Sequence, residues 1–478
     1  MENPGAKLEL TSAEMRRLVD LAMECIVYHL ASLPEQPSAD VDGAAELARS
    51  LAEPLPEMGE RYERLLSLLF ERAIPKSFNT AGPGYLAYVP GGGLFQSAVA
   101  DLIADAVNRY VGVWIAAPGL AQLETNVVRW LGEIVGYPAE ARGVLTSGGS
   151  LANWMAIVTA RRERLPEAFL AGTLYVSDQA HHSLQKAAML AGFPAGSVRE
   201  IPTDAAFRMR LDALRSRIAE DRRGGKRPFL LVGSAGTTNT GAVDDLEGLA
   251  DLAAAEGMWL HVDAAYGGFF MLTERGRAAM YGIERADSIT LDPHKGLFLP
   301  YGTGSLLVRD GAALKRAYSM PAHYLPAMQQ DPDFVDFCEI SPELSRDFRG
   351  LRVWLPVKLH GIAAFRQALD EKLDLARLAA DELRQMPGVE IVAEPELSTV
   401  AFRLLRPGLD AAALDRMNQR WLERINARKR VYLNGTLAGG RFVLRICIVS
   451  FRTHRDRLVE GLQHIRLAAQ ETLAEHAG

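Results

Sequence analysis

The sequence predicts an α/β fold: a mainly parallel sheet covered by helices, preceded by a helical segment and followed by a small α+β unit. Three observations carry this. From about Phe95, short apolar runs alternate with helical stretches, an order that builds parallel strands joined by crossover helices. Before that point, helical periodicity is broken repeatedly by proline. Towards the end, helices around Ala364–Arg384 and Ala411–Asn426 flank strands near Thr399–Phe402 and Phe442–Ile446.

The first helix opens at Thr11-Ser12-Ala13-Glu14, the pattern of a capping box. Met15, Leu18, Val19, Ala22 and Ile26 then recur at helical spacing. Pro34, Pro37, Pro54 and Pro56 interrupt the chain beyond this helix, and a second helix near Glu60–Arg72 stops before Pro75. The glycines and prolines from Gly82 to Gly93 make a shaped loop whose tyrosines, Tyr85 and Tyr88, can line a pocket. Buried strands are expected at Val144–Thr146, Thr173–Val176, Phe229–Val232, Trp259–Val262 and Ser288–Leu291.

Composition narrows the class. The chain has 478 residues, 48% hydrophobic and 23% charged, with a net charge of -6; this is globular composition with room for a large core. No basic run or basic-aromatic patch points to nucleic acid, and no apolar run is long enough to span a bilayer. Cys25, Cys338 and Cys447 are too sparse for a disulfide framework and suit a reducing compartment. Charges at Glu2, Lys7 and Glu9 do not suit a signal peptide. A cytoplasmic protein is expected.

Ligands of open α/β sheets bind beyond the carboxyl ends of the strands, so the residues just after each strand are the candidates. They are Ser147-Gly148-Gly149-Ser150, then Asp178 and His181-His182, then Gly236-Thr237-Thr238, then Asp263-Ala264-Ala265-Tyr266, and finally Asp292-Pro293-His294-Lys295. Gly149 and Ser150 lead into a helix, and glycines before a helix N-terminus admit an anion such as phosphate; the plainer reading is a tight, serine-capped turn. Asp263 ends an apolar strand, where a carboxylate needs a cation or donors. It suits a protonated pyridine nitrogen, or a salt bridge or cap. An isolated Lys295 reads as a loop lysine; next to a phosphate site, Asp263 and His181, it reads as an amine that attacks an aldehyde. His181 suits stacking on a flat heteroaromatic ring. With His182 it makes a poor metal pair, because the two diverge and no third ligand stands at metal spacing. Together these residues point to pyridoxal 5'-phosphate (PLP) and to no metal.

On these motifs the chain resembles the group II PLP-dependent decarboxylases, and among them the aromatic-L-amino-acid decarboxylases. The likeness runs from about Pro83 to His464 and is strongest at Leu123-Glu124, Asp178-Gln179-Ala180-His181, His261-Val262-Asp263-Ala264-Ala265-Tyr266 and Asp292-Pro293-His294-Lys295. It implies the PLP fold type I, a homodimer with shared active sites. It also implies three parts: 1–92 packing on the partner subunit, 93–365 binding PLP, and 366–478 as the small domain. Lys295 is implied to hold PLP covalently, Asp263 to pair with the ring nitrogen, and Ala265 and His181 to cover the two ring faces. Gly149, Ser150 and Asp292 are implied around the phosphate. Thr238 is placed near the ring hydroxyl or the substrate carboxylate, and His294 beside the lysine.

The segment Tyr318–Arg346 is rich in proline and acid, as in Asp331-Pro332-Asp333. It reads as a mobile lid that excludes water, or as a plain surface loop. The resemblance puts a proton-donating tyrosine at Tyr324 and an arginine near the site at Arg346. It puts Tyr88, Val89 and Pro90 on the substrate side, with Tyr110 and Gly112 supplied by the partner subunit. The implied reaction is loss of CO2 from an L-amino acid, with tryptophan, tyrosine or DOPA as the leading substrates. Aromatic-specific relatives commonly have phenylalanine where Val89 and Gly112 stand, so a glutamate-type substrate stays open. So do aldehyde synthesis, transamination, carbon–carbon lysis, a silent PLP-binding relative and a nucleotide-binding protein.

Overall fold

The computed structural model describes residues 8–320, 331 and 333–475. The large sheet has seven strands: β1 (Arg142–Thr146), β2 (Gly172–Ser177), β3 (Val198–Ile201), β4 (Arg227–Ser234), β5 (Trp259–Asp263), β6 (Ser288–Leu291) and β7 (Gly304–Val308). Their order is β1-β7-β6-β5-β4-β2-β3. β7 runs antiparallel to both neighbours, and the other pairs are parallel. The apolar runs are continuous because both faces of the sheet are covered. Along β4, Leu231 enters one core with Leu260 and Val262, while Leu230 and Val232 enter the other with Val144 and Val176.

All five strands expected from the sequence are present. The other two strands of the seven-stranded sheet that the resemblance implies, β3 and β7, were not located from the sequence. β3 lies at the sheet edge, and its Val-Arg-Glu-Ile sequence has no apolar run. The first helix, Ser12–Ala31, opens on the expected capping box, with Glu14 N–H on Thr11 Oγ1 and Thr11 N–H on Glu14 Oε2. Near the second expected helix, Tyr62–Ser67 is α-helical and Leu68–Ala73 widens into a π-helical turn.

The C-terminal sheet is antiparallel: β8 (Val389–Ala393), β9 (Thr399–Leu404), β10 (Asn434–Ala438) and β11 (Arg441–Cys447), in the order β10-β11-β9-β8. The helices Ile362–Arg384, Ala411–Ala427 and Arg455–Glu475 pack with it around the buried Trp421. Residue 365, the expected end of the large part, lies inside the continuous helix Ile362–Arg384. No helix of the described residues is long and apolar enough to cross a membrane.

Candidate active site

The carboxyl ends of β1, β2, β4, β5 and β6 lie at one edge of the large sheet, where the antiparallel β7 begins. There they enclose a cavity of about 270 Å³. Gly149 and Ser150 line it after β1, His181 after β2, Thr238 after β4, Asp263 and Ala265 at β5, and Asp292, His294 and Lys295 after β6. Every residue expected on the cofactor side thus shares one cavity.

Lys295 Nζ lies 3.0 Å from Asp292 Oδ2. Burial works against its charge, but the carboxylates of Asp292 and then Asp263 outweigh that, so the ammonium is held above the usual lysine range. The nearest charges to Lys295 are acidic, which the sequence did not show. His294 donates its Nδ1 proton to Thr303 O at 2.7 Å, and burial lowers its pKa. Burial likewise lowers the pKa of His181, whose Nδ1 lies 2.8 Å from Ser183 Oγ. Asp263 accepts from Asn153 Nδ2 at 2.9 Å and from Ala265 N–H at 3.2 Å.

The backbone approaches closely at this edge. A Cβ on Gly304 would fall 2.5 Å from both the Cα and the carbonyl carbon of Gly148, and 2.7 Å from Asp292 Oδ1. That oxygen is buried and has no hydrogen-bond partner among the described residues, which marks a place for an outside donor. The leading N–H groups of the helix Gly149–Arg164 have no acceptor within the helix and favour an anion. The cavity therefore sets an anion-seeking helix start, a carboxylate and an amine around one space. Those are the groups that the phosphate, ring nitrogen and aldehyde of PLP require, and the residues fit the cofactor.

Residues 46–405 match the pyridoxal-dependent decarboxylase conserved domain. The chain belongs to this family. It is 36% identical to an aromatic-L-amino-acid decarboxylase of Bacillus atrophaeus, over 97% of each chain. A structure of Oryza sativa TDC with PLP and tryptamine matches with a TM-score of 0.92 at 25% identity, covering 98% of this chain and 99% of that one. A Catharanthus roseus tryptophan decarboxylase in complex with L-tryptophan matches with a TM-score of 0.90 at 26% identity, covering 97% and 99%. The protein is a PLP-dependent amino-acid decarboxylase.

The residues expected on the decarboxylase's substrate side do not line the cavity in a single chain. Tyr88 is half exposed and holds a left-handed backbone, φ 53°, with its N–H donated to Asn434 Oδ1 at 2.7 Å. Such a conformation costs a non-glycine residue energy and collects at functional sites. Val89 is half-buried and Pro90 buried beside it. Tyr110 donates its hydroxyl proton to Leu344 O at 3.0 Å, and a Cβ on Gly112 would strike that hydroxyl oxygen at 2.6 Å.

Arg346 differs most from expectation. Its guanidinium is fully buried, 2.6 Å from the equally buried Glu124 and stacked over Phe337. Its Nη2 makes this internal ion pair, its Nε and Nη1 have no hydrogen-bond partner among the described residues, and the side chain does not line the cavity. The expected lid also divides. Tyr324 lies outside the described residues, but the later part of the segment is anchored. Phe334 stacks on Trp114 at 4.2 Å, and Asp336 accepts from Trp114 N–H at 2.6 Å. Phe337 is buried. That part is packed structure, because its acid and aromatic side chains find partners in the Tyr110–Trp114 stretch.

Asn153 and Ser183 line the decarboxylase cavity without having been singled out from the sequence. Asn153 carried a weak signal: it is a lone amide among Ala152, Met155 and Ala156 on a buried helix face.

Proposed function

We propose that this decarboxylase acts on an aromatic L-amino acid, with tryptophan, tyrosine and DOPA the leading candidates, releasing the amine and CO2. The carrying observation is the gathering of Lys295, Asp263 and His181 around one enclosed cavity. The 36% identity over nearly the whole of an aromatic-L-amino-acid decarboxylase supports the aromatic substrate.

PLP, when bound, supplies an electron sink for the pair left on the substrate Cα. The other roles fall to this chain. Lys295 would hold the cofactor covalently through its amine. Asp263 would pair with the protonated ring nitrogen. Ala265 and His181 would flank the ring, Gly149 and Ser150 would hold the phosphate by their N–H groups, and Thr238 and His294 would bound the site. We assign Asp292 to Lys295 rather than to the phosphate, since a carboxylate complements an ammonium and repels a phosphate. Tyr324 gives Cα its proton once CO2 has left.

We further propose a homodimer that shares its sites, with Tyr88, Val89 and Pro90 serving the chain's own site and Tyr110 and Gly112 the partner's. The helix Ser12–Ala31 buries no residue in its own chain and exposes Met15, Val19, Val27 and Tyr28. The helix Phe95–Val107 exposes Leu102, Ile103 and Val107. Apolar patches of this kind mark protein contacts. In this reading 1–92 clasps the partner, 93–365 binds PLP and 366–478 forms the small domain, in a cytoplasmic enzyme.

The test is CO2 release from a panel of amino acids with PLP present, followed by product identification. One amine per CO2 from an aromatic substrate is expected, and in the presence of O2 Tyr324→Phe moves product towards aldehyde, with ammonia and H2O2 released. Ketoacid as product, or turnover of glutamate alone, overturns the reading.

A further inference from the structure

Behind Asp263 lies a buried line of hydrogen bonds whose directions can be worked out one by one. Trp259 donates its Nε1 proton to Ser288 Oγ at 2.8 Å. The Ser288 hydroxyl then donates to His261 Nδ1 at 2.9 Å. His261 is fully buried, and burial pulls its pKa down to about 4, so the ring is neutral and its proton sits on Nε2. That proton goes to Asn153 Oδ1 at 3.1 Å, and the same oxygen accepts from Thr290 Oγ1 at 2.8 Å. Asn153 Nδ2 donates to Asp263 Oδ2 at 2.9 Å and to Ser183 Oγ at 3.1 Å.

The reverse amide orientation would set an oxygen against the Asp263 carboxylate. The orientation therefore follows from the acceptors around it, and all four bonds an asparagine can make are made. Ser183 in turn gives His181 Nδ1 its N–H at 3.3 Å and stands with its hydroxyl 2.8 Å from the same atom. One amide, 1% exposed, touches both arms of the site.

We propose that Asn153 is a positioning residue that aims the Asp263 carboxylate at the cofactor. This rests on the reading that Asp263 pairs with the cofactor ring. Losing Asn153 takes away the donor that fixes Asp263 Oδ2 and frees the carboxylate to turn. Lys295, His181 and His261 also face Asp263; His182 and Asp292 face His181. None of these is removed in Asn153→Leu, so a loss in that variant belongs to the amide.

The experiment titrates apo-enzyme with PLP for wild type, Asn153→Leu, His261→Leu, His261→Gln, Asp263→Ala and the double variant Asn153→Leu/Asp263→Ala. Glutamine keeps a donor where His261 Nε2 stands. Asn153→Leu is expected to weaken PLP binding by about tenfold to a hundredfold, the worth of a hydrogen bond to a charged group. The same loss is expected to disappear in the Asp263→Ala background, because the amide acts through that carboxylate. His261→Leu weakens binding in the same direction, and His261→Gln restores it. Equal weakening with and without Asp263 makes Asn153 a packing residue only and overturns the proposal. So does normal binding by Asn153→Leu when Asp263→Ala binds poorly. If Asp263→Ala binds PLP as wild type does, the underlying reading of Asp263 fails and takes the proposal with it. If Asn153→Leu does not fold, the two His261 variants decide.

Discussion

Arg346→Met removes half of an ion pair whose two side chains are both fully buried. Glu124 keeps one further donor, Gly350 N–H at 3.1 Å, and the more distant charge of Arg349, but loses its direct ion-pair partner. Stranding one partner of a buried pair costs about 3–5 kcal/mol. Unfolding entropy is about 2.1 cal/mol/K per residue. Over the 478 residues, the expected fall in Tm is therefore about 3–5 °C. Calorimetry of the apo-enzyme reads this directly. The double variant Arg346→Met/Glu124→Gln should recover most of the loss, since replacing both ends of a buried pair is often close to neutral. KM should change little in either. A single variant that melts like wild type but shows a raised KM would refute the structural role and return Arg346 to the substrate.

Asp292→Asn removes the main group holding Lys295 protonated, so the lysine pKa falls. PLP capture needs the neutral amine. Stopped-flow absorbance should therefore show the acid limb of the capture rate at lower pH, and an unmoved limb counts against the pairing. Gly304→Ala drives a Cβ into Gly148 backbone, at a cost of about 1–3 kcal/mol by overpacking; weaker PLP binding with a lower Tm is expected, and normal values would disprove the close approach. Burial pushes the Asp244 carboxyl up from 3.8 to about 6, against the N–H donors of Met209 and Ser234. A raised folded pKa means that this stabilisation is complete below the unfolded value and is lost as pH rises through about 6. Urea unfolding should show a decline over that window in wild type that Asp244→Asn lacks; parallel curves would rule it out.

The sequence by itself determined the α/β class, five of the seven strands of the large sheet and the residues at their ends. A strand buried on both faces must be apolar throughout, and chemistry at the sheet edge must come directly after it, so both are local signals. The edge strand β3, with Arg199 and Glu200 at its middle, left no such trace. Only the tertiary structure decided what Lys295, Arg346 and Asn153 face. Arg346 and Glu124 are far apart in the chain, and no local pattern shows that they neutralise each other in the core. Lys295 stands three residues from Asp292, but only the helical turn between them sets its charge. Asn153 reads as one polar residue on an apolar helix until β5 and β6 bring His261, Asp263 and Thr290 against it. A charge's strength depends on its partners and on how far water is excluded, and both are properties of the folded chain.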